Sequence, residues 1–68
     1  MGVESTLGAS VADRIREARR ACGWSQTRLA IKAGVSRPTI ARIEAGQRVR
    51  MGTLEKVAQV LGFNIELR

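Results

Sequence analysis

The sequence predicts an all-α fold, a compact domain of about four helices, followed by a short C-terminal β-strand. Three observations predict it. Apolar residues recur at helical spacing in four separate stretches. A glycine follows each stretch, at Gly23, Gly34, Gly46 and Gly62, where helices commonly end in a left-handed residue. After Gly62 the period changes to two: Phe63, Ile65 and Leu67 alternate with Asn64, Glu66 and Arg68, the pattern of a half-buried strand.

The elements follow in order. Residues 1–9 have small polar residues, glycines and no clear period, and are expected to form a flexible N-terminal arm. Ser10 is placed to cap a first helix, with Asp13 completing a capping-box-like pair, and that helix runs to about Cys22. Val11, Ile15, Ala18 and Cys22 fall on its inward face. A second helix is expected over about Gln26 to Ala33, with Leu29, Ala30 and Ala33 inward. A third is expected over about Arg37 to Ala45, with Ile40 and Ile43 inward and Pro38 in its first turn, where a missing N–H is tolerated. The stretch from Gln47 to Gly52 reads as a basic loop holding Arg48 and Arg50. A fourth helix follows, over about Thr53 to Leu61, with Leu54, Val57, Ala58 and Leu61 inward.

The second and third helices start with the same device. Ser25 can act as an N-cap, with Trp24 before it and Leu29 at the fourth helical position, and Ser36 repeats this with Val35 and Ile40. Each is a capped, hydrophobically stapled helix start. Helices this short do not stand alone in water, so they must pack on the rest of the domain. Two such helices across a glycine turn, the second carrying Arg37 and Arg42, have the construction of a helix-turn-helix that reads DNA.

Size and charge agree with that reading. A chain of 68 residues forms a single domain, and at this size only about 60% of the unfolded surface is buried, so the core is small. With one cysteine and no histidine, neither an intrachain disulfide nor a zinc staple is expected, which leaves oligomerisation as a source of added stability. Twelve Lys and Arg against six Asp and Glu give a net charge of +6, suited to a polyanionic partner. Most of the basic residues are arginine, which recognises phosphates and guanine edges with two parallel hydrogen bonds. The period-two tail has no second strand in the chain to pair with. It either pairs with the same strand of a second copy, giving a homodimer, or folds back onto the core.

The residues Arg19, Gly23-Trp24-Ser25-Gln26, Leu29-Ala30, Ala33-Gly34-Val35-Ser36, Thr39-Ile40, Arg42-Ile43-Glu44, Gly46, Thr53-Leu54, Ala58 and Leu61-Gly62 together resemble the Cro/C1-type helix-turn-helix regulators, the XRE family. The resemblance runs from about Val11 to Phe63 and implies a lambda-repressor-like domain. The stretch from Gly46 to Leu54, with the tail from Gly62 to Arg68, is most similar to the HipB-like antitoxin branch, in which a C-terminal strand pairs across the dimer. The family pattern implies five helices, whereas four helices and a strand are read here. On this basis residues 10–62 form the DNA-binding domain and residues 63–68 a dimerisation strand built on Phe63, Ile65 and Leu67.

The resemblance also implies roles. Ser36, Arg37, Pro38 and Arg42 align with the positions that face the major groove. Arg37 is the main base reader; Arg42 reads a second base or a phosphate; Pro38 touches a thymine methyl or simply favours the helix start. Gln26 aligns with a phosphate-gripping glutamine, Ser25 is first a cap and then a phosphate contact, and Thr39 either contacts phosphate or packs. Arg48 and Arg50 lie along the DNA backbone, where contacts position the domain and do not read sequence. Arg19 and Glu44 form a partly buried ion pair between the first and third helices, a structural role. Trp24 is read as core, and Cys22 as a small buried hydrophobe.

The function expected is therefore a transcriptional regulator, in particular a repressor, acting as a homodimer on a palindromic site in double-stranded DNA. The alternative is an antitoxin that holds a toxin protein and represses its own operon. An enzyme is not expected: the lone cysteine has no histidine base, and the six acids form no catalytic or metal cluster, so no cofactor or metal is implied. No apolar run approaches the roughly 20 residues that cross a bilayer, and the first ten residues lack a signal-peptide pattern, so a cytoplasmic protein without a membrane partner is expected.

Overall fold

The computed structural model describes the backbone of residues 3–63 and the side chains of residues 11–63. It has four helices, α1 (Val3–Ala21), α2 (Gln26–Ala33), α3 (Arg37–Glu44) and α4 (Met51–Val60), and no strand among the described residues. Ile65 and Leu67 of the expected strand lie outside the described residues.

The core is assembled from all four helices. Ile15, Leu29, Ile40 and Val57, one from each, are its largest fully buried side chains. Ala30, Ala33 and Ile43 complete the cluster, and Trp24, Val35, Val49 and Leu54 pack against it half-buried. α2 lies against both α3 and α4, while α1 braces α3. The two central helices are thus held from both sides, which supplies the packing that helices of eight residues need.

Their starts are built as the sequence predicts. Ser25 Oγ accepts the Arg28 N–H at 3.0 Å. Ser36 Oγ accepts the Thr39 N–H at 3.3 Å and shares a 2.9 Å hydrogen bond with the Thr39 hydroxyl. Between the helices Gly34 adopts φ +71°, with open space around its Cα. Backbone angle, not room, is what demands glycine there, since an L side chain in that conformation costs about 1–2 kcal/mol. The turn is closed by two hydrogen bonds, from the Gly34 N–H to Ile31 O at 3.2 Å and from the Val35 N–H to Ala30 O at 3.0 Å. The same pair closes α4, where the Gly62 and Phe63 N–H groups reach Gln59 O and Ala58 O, each at 3.0 Å. Phe63 is then drawn half-buried onto the core, with the Arg14 guanidinium 4.9 Å from its ring centre.

Four details differ from the sequence pattern. α1 begins at Val3 and not at Ser10, so residues 3–9 of the stretch read as an arm belong to the helix. Extending a formed helix costs far less than nucleating one, and residues 3–9 contain no proline. Asp13, read as half of a capping box, instead pairs with Arg16 one turn further on. Cys22 is exposed and not buried: α1 ends at Ala21, the chain turns at Gly23, and Trp24 covers the core in its place. α4 starts at Met51, so the basic loop is shorter than read and Gly52 is helical.

Candidate nucleic-acid interface

α3 presents its first residues outward. Ser36, Arg37 and Pro38 are exposed, and so is Arg42 further along the same helix. Beside them lies an open groove of about 660 Å³, lined by Val35, Ser36, Thr39, Arg42, Arg48, Val49, Arg50 and Thr53. It gathers three guanidinium groups and three hydroxyls, with no carboxylate among its lining residues. Such a groove carries a positive potential and offers donors to an anionic backbone.

The groove unites residues that the sequence places on separate elements. Ser36, Thr39 and Arg42 come from the cap, the first turn and the last turn of α3, and Arg48 and Arg50 from the loop before α4. Thr53, to which the sequence pattern assigns no binding role, comes from the first turn of α4. That turn has no side-chain cap and no acidic residue, as suits a helix start that faces an anion. A hydroxyl following closely on Arg48 and Arg50 was a weak sequence signal for Thr53; only the fold shows that it faces the same groove.

Arg37 and Gln26 lie outside this groove and belong to a hydrogen-bonded chain. The Arg37 Nη1 group donates to Gln26 Oε1 at 3.2 Å, and Gln26 Nε2 donates to Glu44 Oε1 at 3.2 Å. Arg19 grips the Glu44 carboxylate with two bonds, Nε to Oε2 at 2.7 Å and Nη2 to Oε1 at 3.0 Å. Its remaining Nη1 donates to Trp24 O at 2.8 Å. The ion pair between the first and third helices is therefore present, with the two side chains 11% and 5% exposed. Arg16 adds a further bond that the sequence reading misses, from Nη1 to the backbone oxygen of Glu44 at 2.8 Å. It thereby satisfies a carbonyl at the end of α3.

Burial by itself would raise the pKa of the Glu44 carboxyl. The hydrogen bonds from Arg19 and Gln26, with the charges of Arg19 and Arg16, outweigh it and hold that pKa below its ordinary value. The same hydrogen bond with Glu44 raises the Arg19 pKa despite burial, so the guanidinium stays charged. The charged pair, in two-pronged geometry, fixes the far end of α3 against α1.

Two short helices at a braced angle, the second turned outward beside a basic groove, define a helix-turn-helix of the DNA-binding kind. The helix-turn-helix family model matches residues 15–67, and the chain belongs to that family, of the Cro/C1 type. It is a DNA-binding transcription regulator. No curated protein matches the chain. Among the described residues, no helix is long and apolar enough to cross a membrane.

Proposed function

We propose that the protein is a repressor that binds a palindromic operator as a homodimer. The observation that supports the DNA contact in this reading is the convergence of Arg42, Arg48 and Arg50 on one groove flanking the exposed start of α3. With α3 in the major groove of DNA, these arginines meet the phosphate backbone beside it. Of the two roles open to Arg42, its place in the groove favours phosphate. Ser36 and Ser25 use their hydroxyls as caps, so base reading falls chiefly to Arg37, through guanine O6 and N7. Gln26 uses one amide hydrogen on Glu44 and keeps the other for a phosphate. A cytoplasmic location accords with an operator as ligand.

Selection of sites from random duplex DNA at near-physiological salt is the direct test. The expected product is a palindrome whose half-sites lie about one helical turn apart. Arg37→Ala is expected to flatten the preference at one guanine per half-site, a loss of about 1–3 kcal/mol of discrimination. Bulk, salt-sensitive binding without an enriched sequence would overturn the operator reading and point to a protein partner.

The dimer is proposed to form through residues 63–68, whose alternating pattern suits pairing with a second copy. Because Phe63 closes α4, the chain is best shortened after it. A protein ending at Phe63 is expected to be monomeric by light scattering and to bind the full palindrome far more weakly. A tight dimer from the shortened chain would rule out the strand interface.

A further inference from the structure

We propose that the cleft behind the basic loop binds a small monocarboxylate with an apolar body, and that this occupant competes with DNA for Arg48. The competition rests on the backbone contact proposed for Arg48; the binding does not. The cleft holds about 230 Å³ and lies where α1, the end of α3, the loop and the start of α4 meet. Ala12 and Ile43, both buried, line it, and so do Val11, Val49 and Leu54, which remain half-buried. An apolar guest takes the surface of those three out of water. The polar lining residues are Gln47 and Arg48, with no carboxylate beside them. A guest is therefore favoured that joins an apolar body to one negative end, which a guanidinium holds by paired hydrogen bonds. At about 30 Å³ for each water-sized atom, the space takes about eight non-hydrogen atoms, the size of hexanoate. It is too small for a helix or a strand. The chain's own tail leaves from the opposite end of α4, where Phe63 lies against Arg14.

Arg48 and Val49 line this cleft and the basic groove alike, so the loop is the wall between them. Its ends are tied, by the Gln47 N–H to Arg42 O at 2.9 Å and the Leu54 N–H to Arg50 O at 3.1 Å. Between these ties the Arg48, Val49 and Arg50 N–H groups make no backbone hydrogen bond among the described residues. A segment held so lightly moves at little cost. The guanidinium of Arg48 forks onto a phosphate on one side of the loop or a carboxylate on the other. Filling the cleft thus withdraws one of the three arginines from the groove and lowers operator affinity.

The probe is sodium hexanoate, followed first by backbone NMR of the free protein. Saturable shifts centred on Val11, Val49 and Leu54 are expected, with a Kd of about 1 mM, as suits so small a ligand. Acetate at the same ionic strength lacks the apolar body and is expected to produce none. Hexanol lacks the charge and is expected to bind several-fold more weakly. Val11→Phe fills the cleft from α1 and is expected to abolish the shifts. Its operator binding is expected to be unchanged, since Val11 is not among the lining residues of the groove. Arg48→Ala, at an exposed position that folding tolerates, is expected to weaken hexanoate to the level of hexanol. On operator DNA at constant ionic strength, saturating hexanoate is expected to lower affinity about fivefold and the salt slope by about 0.9, the share of one phosphate contact. Neither change is expected in Arg48→Ala. Shifts that are absent or spread over the whole surface would overturn the site. So would displaced Val11 and Leu54 resonances on removal of residues 64–68, which would put the chain's own tail in the cleft. Hexanoate binding that leaves operator affinity unchanged, where Arg48→Ala lowers it, would overturn the competition. If Arg48→Ala leaves the salt slope unchanged, the backbone contact itself has failed, and the NMR shifts alone decide the site.

Discussion

Glu44→Ala is expected to unfold much of the protein at 25 °C. Removing one partner of a buried ion pair costs about 3–5 kcal/mol, because the other charge is left without compensation. Here Arg19 would lose both of its bonds to the carboxylate, at a position where its side chain is 11% exposed. Gln26 would lose its partner too. A 68-residue domain has a total stability of only about 3–10 kcal/mol, so the loss is of the same size as the whole. Urea unfolding followed by Trp24 fluorescence measures it directly. A midpoint within experimental error of the unsubstituted protein would show that the pair contributes little.

The same carboxylate makes stability depend on pH in a defined direction. Its pKa in the folded protein lies below the ordinary 4.5. A depressed carboxylate contributes fully above that ordinary value, and its contribution is lost as pH falls from about 4.5 through the folded pKa. Acid is therefore expected to destabilise the protein in that window, and Glu44→Gln is expected to flatten the decline, if at lower overall stability. Parallel pH curves for the two proteins would mean that other carboxylates govern the acid limb.

The second large effect belongs to the groove. Replacing Arg42, Arg48 and Arg50 together by alanine is expected to lower operator affinity on the order of a hundredfold at about 0.15 M salt. Each lost phosphate contact removes about 0.9 from the salt slope, so the slope should fall by nearly three in all. The ratio of operator to random-sequence affinity should remain close to its original value, because backbone contacts carry no base information. All three residues are exposed, so folding should be nearly unaffected. This separates the groove from Arg37, whose loss should do the reverse: keep the salt slope and erase one base preference. An unchanged slope in the triple variant would mean that the groove does not lie on DNA.

The helix-turn-helix unit was the most legible part of the chain. α2 spans Gln26–Ala33 and buries Leu29, Ala30 and Ala33, as the pattern of apolar residues predicts. Ser25, Ser36 and Gly34 do what their residue types suggest, because caps and left-handed turns are set by neighbours within a few residues. The Arg19 and Glu44 pairing was legible only through family resemblance, since nothing local links two residues on different helices. Arg16 escaped notice for the same reason. Its bond to the Glu44 backbone depends on how α1 crosses the end of α3.

Cys22 shows the limit of periodicity. It falls on the apolar face of an ideal helix continued beyond Ala21, but the chain leaves the helix there and the residue is exposed. Thr53 shows the complementary limit: its role in the groove follows from where α4 starts relative to α3, which has no local signature. Helix class, the glycine that follows each helix, the basic character and the family were all written in the chain, because each follows from short-range sterics, hydrogen bonding or composition. The union of Arg42, Arg48, Arg50 and Thr53 in one groove, and the line of bonds from Arg19 to Arg37, arise only on folding. They join residues distant in sequence, and their geometry is set by how the buried side chains of four helices fill a common core.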